Sequence, residues 1–190
     1  MQLVFATHNP NKLKEVRPLL PKSMHLLSLK DIGCQEEIPE TGSSLEENAR
    51  LKAQYVFKKY GYTCFADDTG LIVDALNGEP GVYSARYAGK QKDPHANMEK
   101  LLSKLGAISH RSARFQTVIA LYLKDGQYVF TGTVEGKITE DKRGINGFGY
   151  DPIFMPRGFD LTFAELPLSL KNSIGHRGKA IKKLVDYLKK

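Results

Sequence analysis

Residues 62–73 read Tyr-Thr-Cys-Phe-Ala-Asp-Asp-Thr-Gly-Leu-Ile-Val, so two adjacent carboxylates interrupt an otherwise apolar segment. The first five residues are typical of the end of a strand, and the last three begin a second apolar run. Burial on both sides makes the pair Asp67–Asp68 costly unless a cation joins the two charges. A divalent metal with a phosphate substrate would supply that cation. A simple turn at the same place would need none.

Strand and helix patterns alternate on both sides of this segment, which predicts an α/β fold. The predicted strands lie at about residues 2–6, 62–66, 113–123 and 128–138, and the predicted helices at about 10–20, 44–60, 94–105 and 176–188. Ser44 and Glu47 form a capping-box pattern at the start of the second helix, and Gly61 ends it. Asp93, followed by Pro94, caps the third helix. Residues 124–127 indicate a hairpin between two strands, so we expect a mixed sheet rather than a purely parallel one.

Length and composition are those of one globular domain covering residues 1–190. The longest apolar run, Val118–Leu123, is far too short to span a bilayer, and the first residues lack the pattern of a secretory signal. Two cysteines, Cys34 and Cys64, are too few for a disulfide framework or a four-ligand zinc site. We therefore expect a cytoplasmic protein that does not bind membranes.

Positive charge is concentrated near the C-terminus. The chain carries a net charge of +7, and residues 171–190 contain seven basic residues and one acidic residue. Such a segment suits a nucleotide, a nucleic acid or a membrane surface. The last four lysines fit a solvated helix face. Arg177 differs, because it follows His176 at a predicted helix start, where cations oppose the helix dipole, and this favours a binding role.

The motif Thr7-x-Asn9-x-x-Lys12 lies between the first predicted strand and the first predicted helix. Backbone N–H groups and the helix dipole at such a junction favour an anion, and Lys12 adds a positive charge. The motif is therefore a candidate phosphate site, although it is not a P-loop. Asn9 could equally be only a helix cap.

Glu40 and Asp68 are candidate magnesium ligands. Glu40 lies in a predicted loop before the second helix, where it can reach an ion. Magnesium is commonly held by one or two carboxylates, with substrate phosphates and waters completing the shell. Lys52 lies one helical turn after Asn48 on the apolar side of that helix, where a lysine more often extends to solvent than binds a ligand.

The segment Gly147-Phe148-Gly149-Tyr150-Asp151-Pro152 is a candidate site for a nucleotide base. Glycines beside aromatic residues let the backbone approach a ligand closely. An aromatic ring can stack on any base, and a neighbouring aspartate can bind a base edge. A turn with buried aromatic side chains is the alternative interpretation.

Together and in this order, these motifs resemble the inosine-triphosphate pyrophosphatase family, which hydrolyses nonstandard purine nucleoside triphosphates. The resemblance covers nearly the whole chain, and its motifs are specific jointly rather than singly. They are Thr7-x-Asn9-x-x-Lys12, Glu40-Thr41-Gly42, Glu47-Asn48-Ala49, Ala66-Asp67-Asp68-Thr69-Gly70-Leu71, Pro80-Gly81-Val82-Tyr83-Ser84-Ala85-Arg86, Gly147 to Pro152 and His176-Arg177-Gly178-x-Ala180.

The resemblance implies an elongated mixed central β-sheet with flanking helices and two lobes around an active-site cleft. It also implies a homodimer, no nucleic-acid partner, dependence on Mg²⁺, and conversion of ITP, dITP or XTP to the monophosphate plus pyrophosphate. It places magnesium on Glu40 and Asp68 and makes Asp68 the proton acceptor. The substrate contacts that it implies are Thr7, His8, Asn9, Pro10, Asn11, Lys12, Lys52, Thr69, Phe148, Gly149, Tyr150, Asp151, Lys171, His176 and Arg177.

The chain departs from the family pattern at two positions. Gly175 stands where the family usually has Ser, and Thr69 stands where Ser is commoner. Two other functions are compatible with the sequence. One is a Maf-like pyrophosphatase that acts on other nucleotides, including pyrimidines. The other is a non-enzymatic nucleic-acid-binding module, although acidic residues in the key loops would repel a phosphate backbone unless metal is present.

Overall fold

Six strands form one mixed sheet in the computed structural model, which describes all 190 residues. The strands are β1 Gln2–Phe5, β2 His25–Ser28, β3 Cys64–Val73, β4 Ser112–Leu123, β5 Gly126–Ile138 and β6 Phe154–Pro156. Their order in the sheet is β2-β1-β3-β4-β5-β6. β1 pairs in parallel with β2 and β3, whereas β5 pairs antiparallel with β6. The predicted α/β fold with a mixed sheet is therefore confirmed.

Five α-helices accompany the sheet. They are α1 Pro10–Val16, α2 Leu45–Tyr60, α3 Pro94–Leu105, α4 Leu168–Ile174 and α5 His176–Leu188. The caps agree with the sequence patterns, since Asn9, Ser44 and Asp93 each accept backbone N–H bonds and Gly61 adopts a left-handed conformation. No helix combines the length and the apolar character needed to cross a membrane. The sequence patterns did not indicate β2, β6 and α4, which have only four, three and seven residues.

β3 corrects the interpretation of residues 62–73. The structure has one continuous ten-residue strand through Asp67 and Asp68, not a strand end or a turn. Successive side chains of a strand point to opposite faces, so the two carboxylates do not share one environment. Asp67 has Lys12 and Arg177 as cationic partners and Asp68 has Lys52, and these cations permit two buried charges in the middle of a strand.

The chain divides into two compact units. The first comprises residues 1–68, 117–132 and 177–190. Helices α1 and α5 pack against one face of its strands, around Phe5, Phe65 and Ile181. Helix α2 packs against the other face with Ala49, Ala53 and Val56, which meet Val4 and Ala66 among other residues. Cys34 and Cys64 are buried free thiols in this unit.

The second unit comprises residues 69–116 and 133–176. Its core joins Leu71 and Val73 of β3 to Met98, Leu101 and Leu105 of α3 and to a group of phenylalanines. The rings of Phe115 and Phe154 meet edge to face with centroids 4.7 Å apart. This aromatic core lies next to the predicted base-binding segment, since Tyr150 and Ile153 belong to it.

Candidate active site

Strand alternation separates Asp67 from Asp68 within the first unit. Phe65 belongs to the core formed with α1 and α5, and Ala66 belongs to the core formed with α2. Because the period of a strand is two residues, Asp67 faces α1 and α5, and Asp68 faces α2. The two carboxylates therefore organise two different sets of side chains.

Asp67 is the centre of a buried ion network. Lys12 Nζ of α1 donates to Asp67 Oδ1 at 2.7 Å, and Arg177 Nε of α5 donates to Asp67 Oδ2 at 3.0 Å. Arg177 Nη1 also forms an ion pair with the carboxylate of Glu15. Asp67, Arg177 and Glu15 are all buried. The network thus ties α1, β3 and α5 together through charges that solvent does not screen.

The electrostatics of this network favour an ionised Asp67. Burial alone would raise the pKa of Asp67, but Lys12 and Arg177 outweigh it, and the pKa lies well below its usual range. For Lys12, burial outweighs the attraction of Asp67 and lowers the pKa of the ammonium. The positive charges of Lys52 and Arg177 lower this pKa further. Asp67 has two cationic partners, whereas Lys12 shares its anion with Arg177.

The position of Arg177 explains why cations stand at the start of α5. The sequence suggested that such cations are misplaced for stability and therefore bind a ligand. In the structure, the guanidinium turns inward and is stabilised by Asp67 and Glu15. This contact gives Arg177 a structural role, and its implied contact with substrate stays a prediction.

Asp68 belongs to a second set of side chains, carried by α2 and the loop before it. Asn48 Nδ2 donates to Asp68 Oδ2 at 3.1 Å, and Lys52 Nζ lies 3.7 Å from Asp68 Oδ1. Lys52 Nζ also forms an ion pair with Glu40. The amide of Asn48 is held by Gly42, whose backbone N–H donates to Asn48 Oδ1 at 2.8 Å. Asn48 therefore orients one oxygen of Asp68 and leaves the other toward Lys52.

Asp68 has the electrostatics expected of a proton acceptor. Burial raises its pKa, Lys52 and Lys12 oppose that rise, and the nearby charge of Glu40 adds to it. Burial lowers the pKa of Lys52, but Asp68 and Glu40 outweigh burial and the net shift is upward. A carboxyl group with a raised pKa and a cation beside it is typical of catalytic sites.

Glu40 and Asp68 fit a shared divalent cation. One ammonium, Lys52 Nζ, contacts both carboxylates, so a single cation can serve both. No cluster of three or more His, Cys, Asp or Glu side chains could enclose a metal ion. An ion held by these two oxygen ligands would need further oxygens from substrate and water, as magnesium commonly does.

The predicted phosphate motif forms a hydrogen-bonded turn before α1. Thr7 Oγ1 accepts from the backbone N–H of Asn9 at 3.1 Å, and Asn9 Oδ1 accepts from the N–H groups of Asn11 and Lys12. The cap interpretation of Asn9 is therefore confirmed, with Pro10 at the first turn of the helix. Thr7, Asn9 and Lys12 are half-buried and His8, Pro10 and Asn11 are exposed. The phosphate contacts of this turn stay a prediction.

The second unit brings Phe148, Asp151 and Lys171 together. Lys171 Nζ forms an ion pair with Asp151 and lies 5.0 Å from the centroid of the Phe148 ring. Asp151 Oδ2 also accepts from the backbone N–H of Phe148 at 2.8 Å. Gly147 has a left-handed backbone with φ of 74°, and an added Cβ there would overlap the Asp151 carboxylate. Asp151 therefore holds this loop and Lys171 in place.

Other predicted substrate contacts lie near this group or in the core. The ring of His176 is buried and stacks on Phe115, with centroids 4.8 Å apart. Tyr150 is also buried, and its hydroxyl donates to the backbone oxygen of Ser84 at 2.9 Å. Thr69 and Gly149 are half-buried. These positions give Tyr150 and His176 packing roles, and their assignment to substrate stays a prediction.

Gly175 has a structural reason to lack a side chain. Its backbone N–H donates to the carbonyl oxygen of Lys171 at 2.8 Å, which ends α4. A Cβ at this position would lie 2.5 Å from the same oxygen, closer than real contacts allow. The family serine would therefore require the end of α4, which carries Lys171, to shift.

Two residues of the site, Glu15 and Asn48, had no functional role predicted from the sequence. Glu15 lies three residues after Lys12 on α1, so both share a helix face, and this spacing was a usable signal. Asn48 is fully buried and lies one turn before Lys52. The spacing predicts that shared face but no role for the amide, because its partner Asp68 is twenty residues away.

Comparison with known proteins identifies the family of the chain. The family model described as the Ham1 family matches residues 3–187. The chain is 63% identical over 188 residues to a protein of Flavobacterium johnsoniae named dITP/XTP pyrophosphatase, covering 99% of this chain and 98% of the relative. A protein of Bacillus subtilis with the same name is 50% identical over 192 residues, covering 98% of this chain and 96% of the relative.

Solved structures give the same result. The Ham1 protein of Staphylococcus aureus is 44% identical and superposes with a TM-score of 0.90, covering 100% of this chain and 98% of that one. A HAM1 protein from Coxiella burnetii is 39% identical and superposes with a TM-score of 0.91, with the same coverage.

Proposed function

Because the chain belongs to the Ham1 family, we propose that it is a pyrophosphohydrolase that converts nonstandard purine nucleoside triphosphates (ITP, dITP and XTP) to the monophosphate and pyrophosphate. The observation that carries this proposal is the set around Asp68, a buried carboxylate oriented by Asn48 and placed beside Lys52 and Glu40. The names of the relatives favour purine substrates over the pyrimidine nucleotides of a Maf-like enzyme.

The charges of the first unit support a requirement for magnesium. Its site contains three cationic side chains and four carboxylates, and every cation is paired with a carboxylate. A triphosphate brings several negative charges to this site and needs additional positive charge. Glu40 and Asp68 would hold Mg²⁺, which when bound offsets phosphate charge and polarises the phosphoryl oxygens.

Asp68 accepts the proton in the proposed reaction. A water molecule transfers one proton to the Asp68 carboxylate as the water oxygen forms a bond to the α-phosphorus. The bond between the α-phosphorus and the bridging oxygen breaks, and pyrophosphate leaves with that oxygen. Lys12, Lys52 and Lys171 interact with the phosphates, and no covalent intermediate with the protein is formed.

Purine recognition is assigned to Phe148 and its neighbours. The half-buried ring of Phe148 can stack on a base, and Asp151 holds the loop through the Phe148 N–H and its ion pair with Lys171. Oxo purines carry an acceptor at position 6, which adenine lacks. A buried donor left unpaired by an amino group costs about 1–3 kcal/mol, enough to disfavour ATP.

A panel of nucleotides tests the function. Pyrophosphate release is measured from ITP, dITP, XTP, ATP, dTTP and UTP, with and without MgCl₂. The proposal predicts release from the first three, little from the others, and none after removal of the metal by EDTA. Preferential turnover of dTTP or UTP would indicate a Maf-like enzyme. Tight, salt-sensitive DNA binding without turnover would indicate a nucleic-acid-binding module.

The homodimer that the resemblance implies is a further part of the proposal. Light scattering after size-exclusion chromatography measures it directly. A mass near 42 kDa, about twice the 21.2 kDa of one chain, is the expected result, and a mass equal to one chain would contradict it.

A further inference from the structure

Glu36 is a carboxylate that the proposed reaction does not use, yet it has several partners. Glu36 Oε1 accepts from the hydroxyl of Tyr60 at 2.7 Å and from that of Tyr55 at 2.8 Å. Lys59 Nζ forms an ion pair with the same oxygen. All three donors come from the last two turns of α2, so Glu36 fastens the loop before α2 to the far end of that helix.

The backbone of Glu36 makes a second connection. Its carbonyl oxygen lies 2.9 Å from Nε2 of His8, whose ring therefore donates to it. His8 belongs to the predicted phosphate turn. Glu36 thus contacts both the end of α2 and the turn that begins α1.

The hydrogen bonds keep Glu36 ionised. Lys59, and then Tyr60 and Tyr55, lower the pKa of its carboxyl group far below its usual value. The same contact raises the pKa of Lys59 above its usual value. The Glu36 carboxylate and the Lys59 ammonium are therefore both fully charged over the whole neutral range.

The anchored loop carries the proposed metal ligand Glu40. Residues 35–41 contain no helix or strand, so side chains have to fix their course. Beyond Glu40, the backbone N–H of Gly42 donates to Asn48 at 2.8 Å and that of Ser43 donates to Glu47 at 2.6 Å. The five residues 37–41 therefore run between two fixed points, which limits the positions open to the Glu40 carboxylate.

We propose that Glu36 is a positioning residue, which holds residues 37–41 so that Glu40 stays within reach of the cation shared with Asp68. The inference rests on the proposed function, because that function gives Glu40 its role. Groups that orient metal ligands without touching the metal commonly change metal affinity by about 10–100-fold when they are replaced. Glu36 acts in this way through the backbone of its loop.

The variant Glu36→Gln tests the proposal, with Glu79→Gln as matched control. Glu79 Oε2 accepts from Tyr87 OH at 2.7 Å and from Lys104 Nζ at 2.5 Å, so it has the same kinds of partners without belonging to the Glu40 loop. Hydrogen–deuterium exchange of residues 33–43 is measured in the protein without magnesium. Pyrophosphate release from ITP is then measured against MgCl₂ concentration.

Glu36→Gln is expected to accelerate amide exchange at residues 37–41 and to raise the half-saturating MgCl₂ concentration about tenfold. At saturating magnesium, kcat should stay within about twofold of the unsubstituted protein, because Asp68 is unchanged. Glu79→Gln should change neither quantity. The double variant Tyr55→Phe, Tyr60→Phe, which keeps Glu36 and Lys59, should move both quantities in the same direction by less.

Unchanged exchange or an unchanged magnesium requirement in Glu36→Gln would overturn the positioning role. Equal effects in Glu79→Gln would also overturn it, because they would reflect a general loss of stability. If the unsubstituted protein releases no pyrophosphate from ITP, the proposed function fails. The exchange measurement still decides in that case whether Glu36 anchors the loop.

Discussion

Replacement of Arg177 by Met tests how the first unit holds its buried charges. The substitution keeps most of the side-chain volume but leaves Glu15 and Asp67 without their common cation. Asp67 retains Lys12, whereas the buried Glu15 carboxylate loses this ion pair. Removing one partner of a buried pair costs about 3–5 kcal/mol. For a protein of this size that corresponds to a fall in Tm of about 6–20 °C.

Thermal and urea unfolding followed by circular dichroism measure this loss, and the variant Arg50→Met is the control. Arg50 pairs with Glu46 on the same unit at 2.8 Å, but both side chains are well exposed. Such a pair contributes only about 0.3–0.5 kcal/mol. The double variant Glu15→Gln, Arg177→Met should be more stable than Arg177→Met alone by about 1 kcal/mol or more, because the orphaned charge is removed as well.

The reasoning is refuted if Arg177→Met loses no more stability than Arg50→Met. It is also refuted if Glu15→Gln lowers stability further in the Arg177→Met background. Either result would mean that the two carboxylates do not depend on the guanidinium for their burial.

Three further predictions follow from single positions. Gly147→Ala should lower the affinity for ITP and lose more stability than Gly149→Ala. Both glycines have positive φ, which costs about 1–2 kcal/mol for alanine, but only the Cβ added at position 147 would also displace Asp151. Equal KM values in the two variants would contradict this role of Asp151. Gly175→Ser should lower the free energy of unfolding in urea by about 1–3 kcal/mol, because the new side chain crowds the carbonyl of Lys171. An unchanged unfolding midpoint would show that the end of α4 shifts without loss of stability. Burial raises the pKa of the Cys64 thiol to about 12, above the value of about 8.5 in the unfolded chain. The contribution of the protonated thiol to folding stability is therefore complete below about pH 8.5 and is lost as the pH rises toward 12. Cys64→Ala should therefore weaken the fall of stability with pH between these values, and an unchanged slope would contradict the shift.

Local signals predicted four of the five α-helices, all except the seven-residue α4. Ser44 and Gly61 gave both ends of α2, and Asn9 and Asp93 gave the starts of α1 and α3, because caps depend on neighbouring residues only. The capping box was half right, since Ser44 accepts from Glu47 N–H but the Glu47 carboxylate bonds to Ser43. Short elements such as β2 and β6 are fixed by pairing within the sheet and leave no periodic pattern.

The interior of the site could not be predicted in the same way. The sequence showed that Asp67 and Asp68 need cations, but not that β3 continues through them with one carboxylate on each face. The partners of Asp67 lie 55 and 110 residues away, and no local rule connects such positions. The resemblance named Lys12, Asp68 and Arg177 without their partners, and the coordinates were needed to show which side chains each of them contacts.

The central claim is that Asp68 accepts the proton from the attacking water. The rate of pyrophosphate release from ITP by Asp68→Asn, at saturating MgCl₂ and with unfolding curves as a check on the fold, tests it most directly. Asn can still accept the hydrogen bond from Asn48 but cannot take up the proton. A fall in kcat of about 10²–10⁴-fold with an unchanged unfolding midpoint is the expected result. A kcat within a few fold of the unsubstituted protein would contradict the role of Asp68.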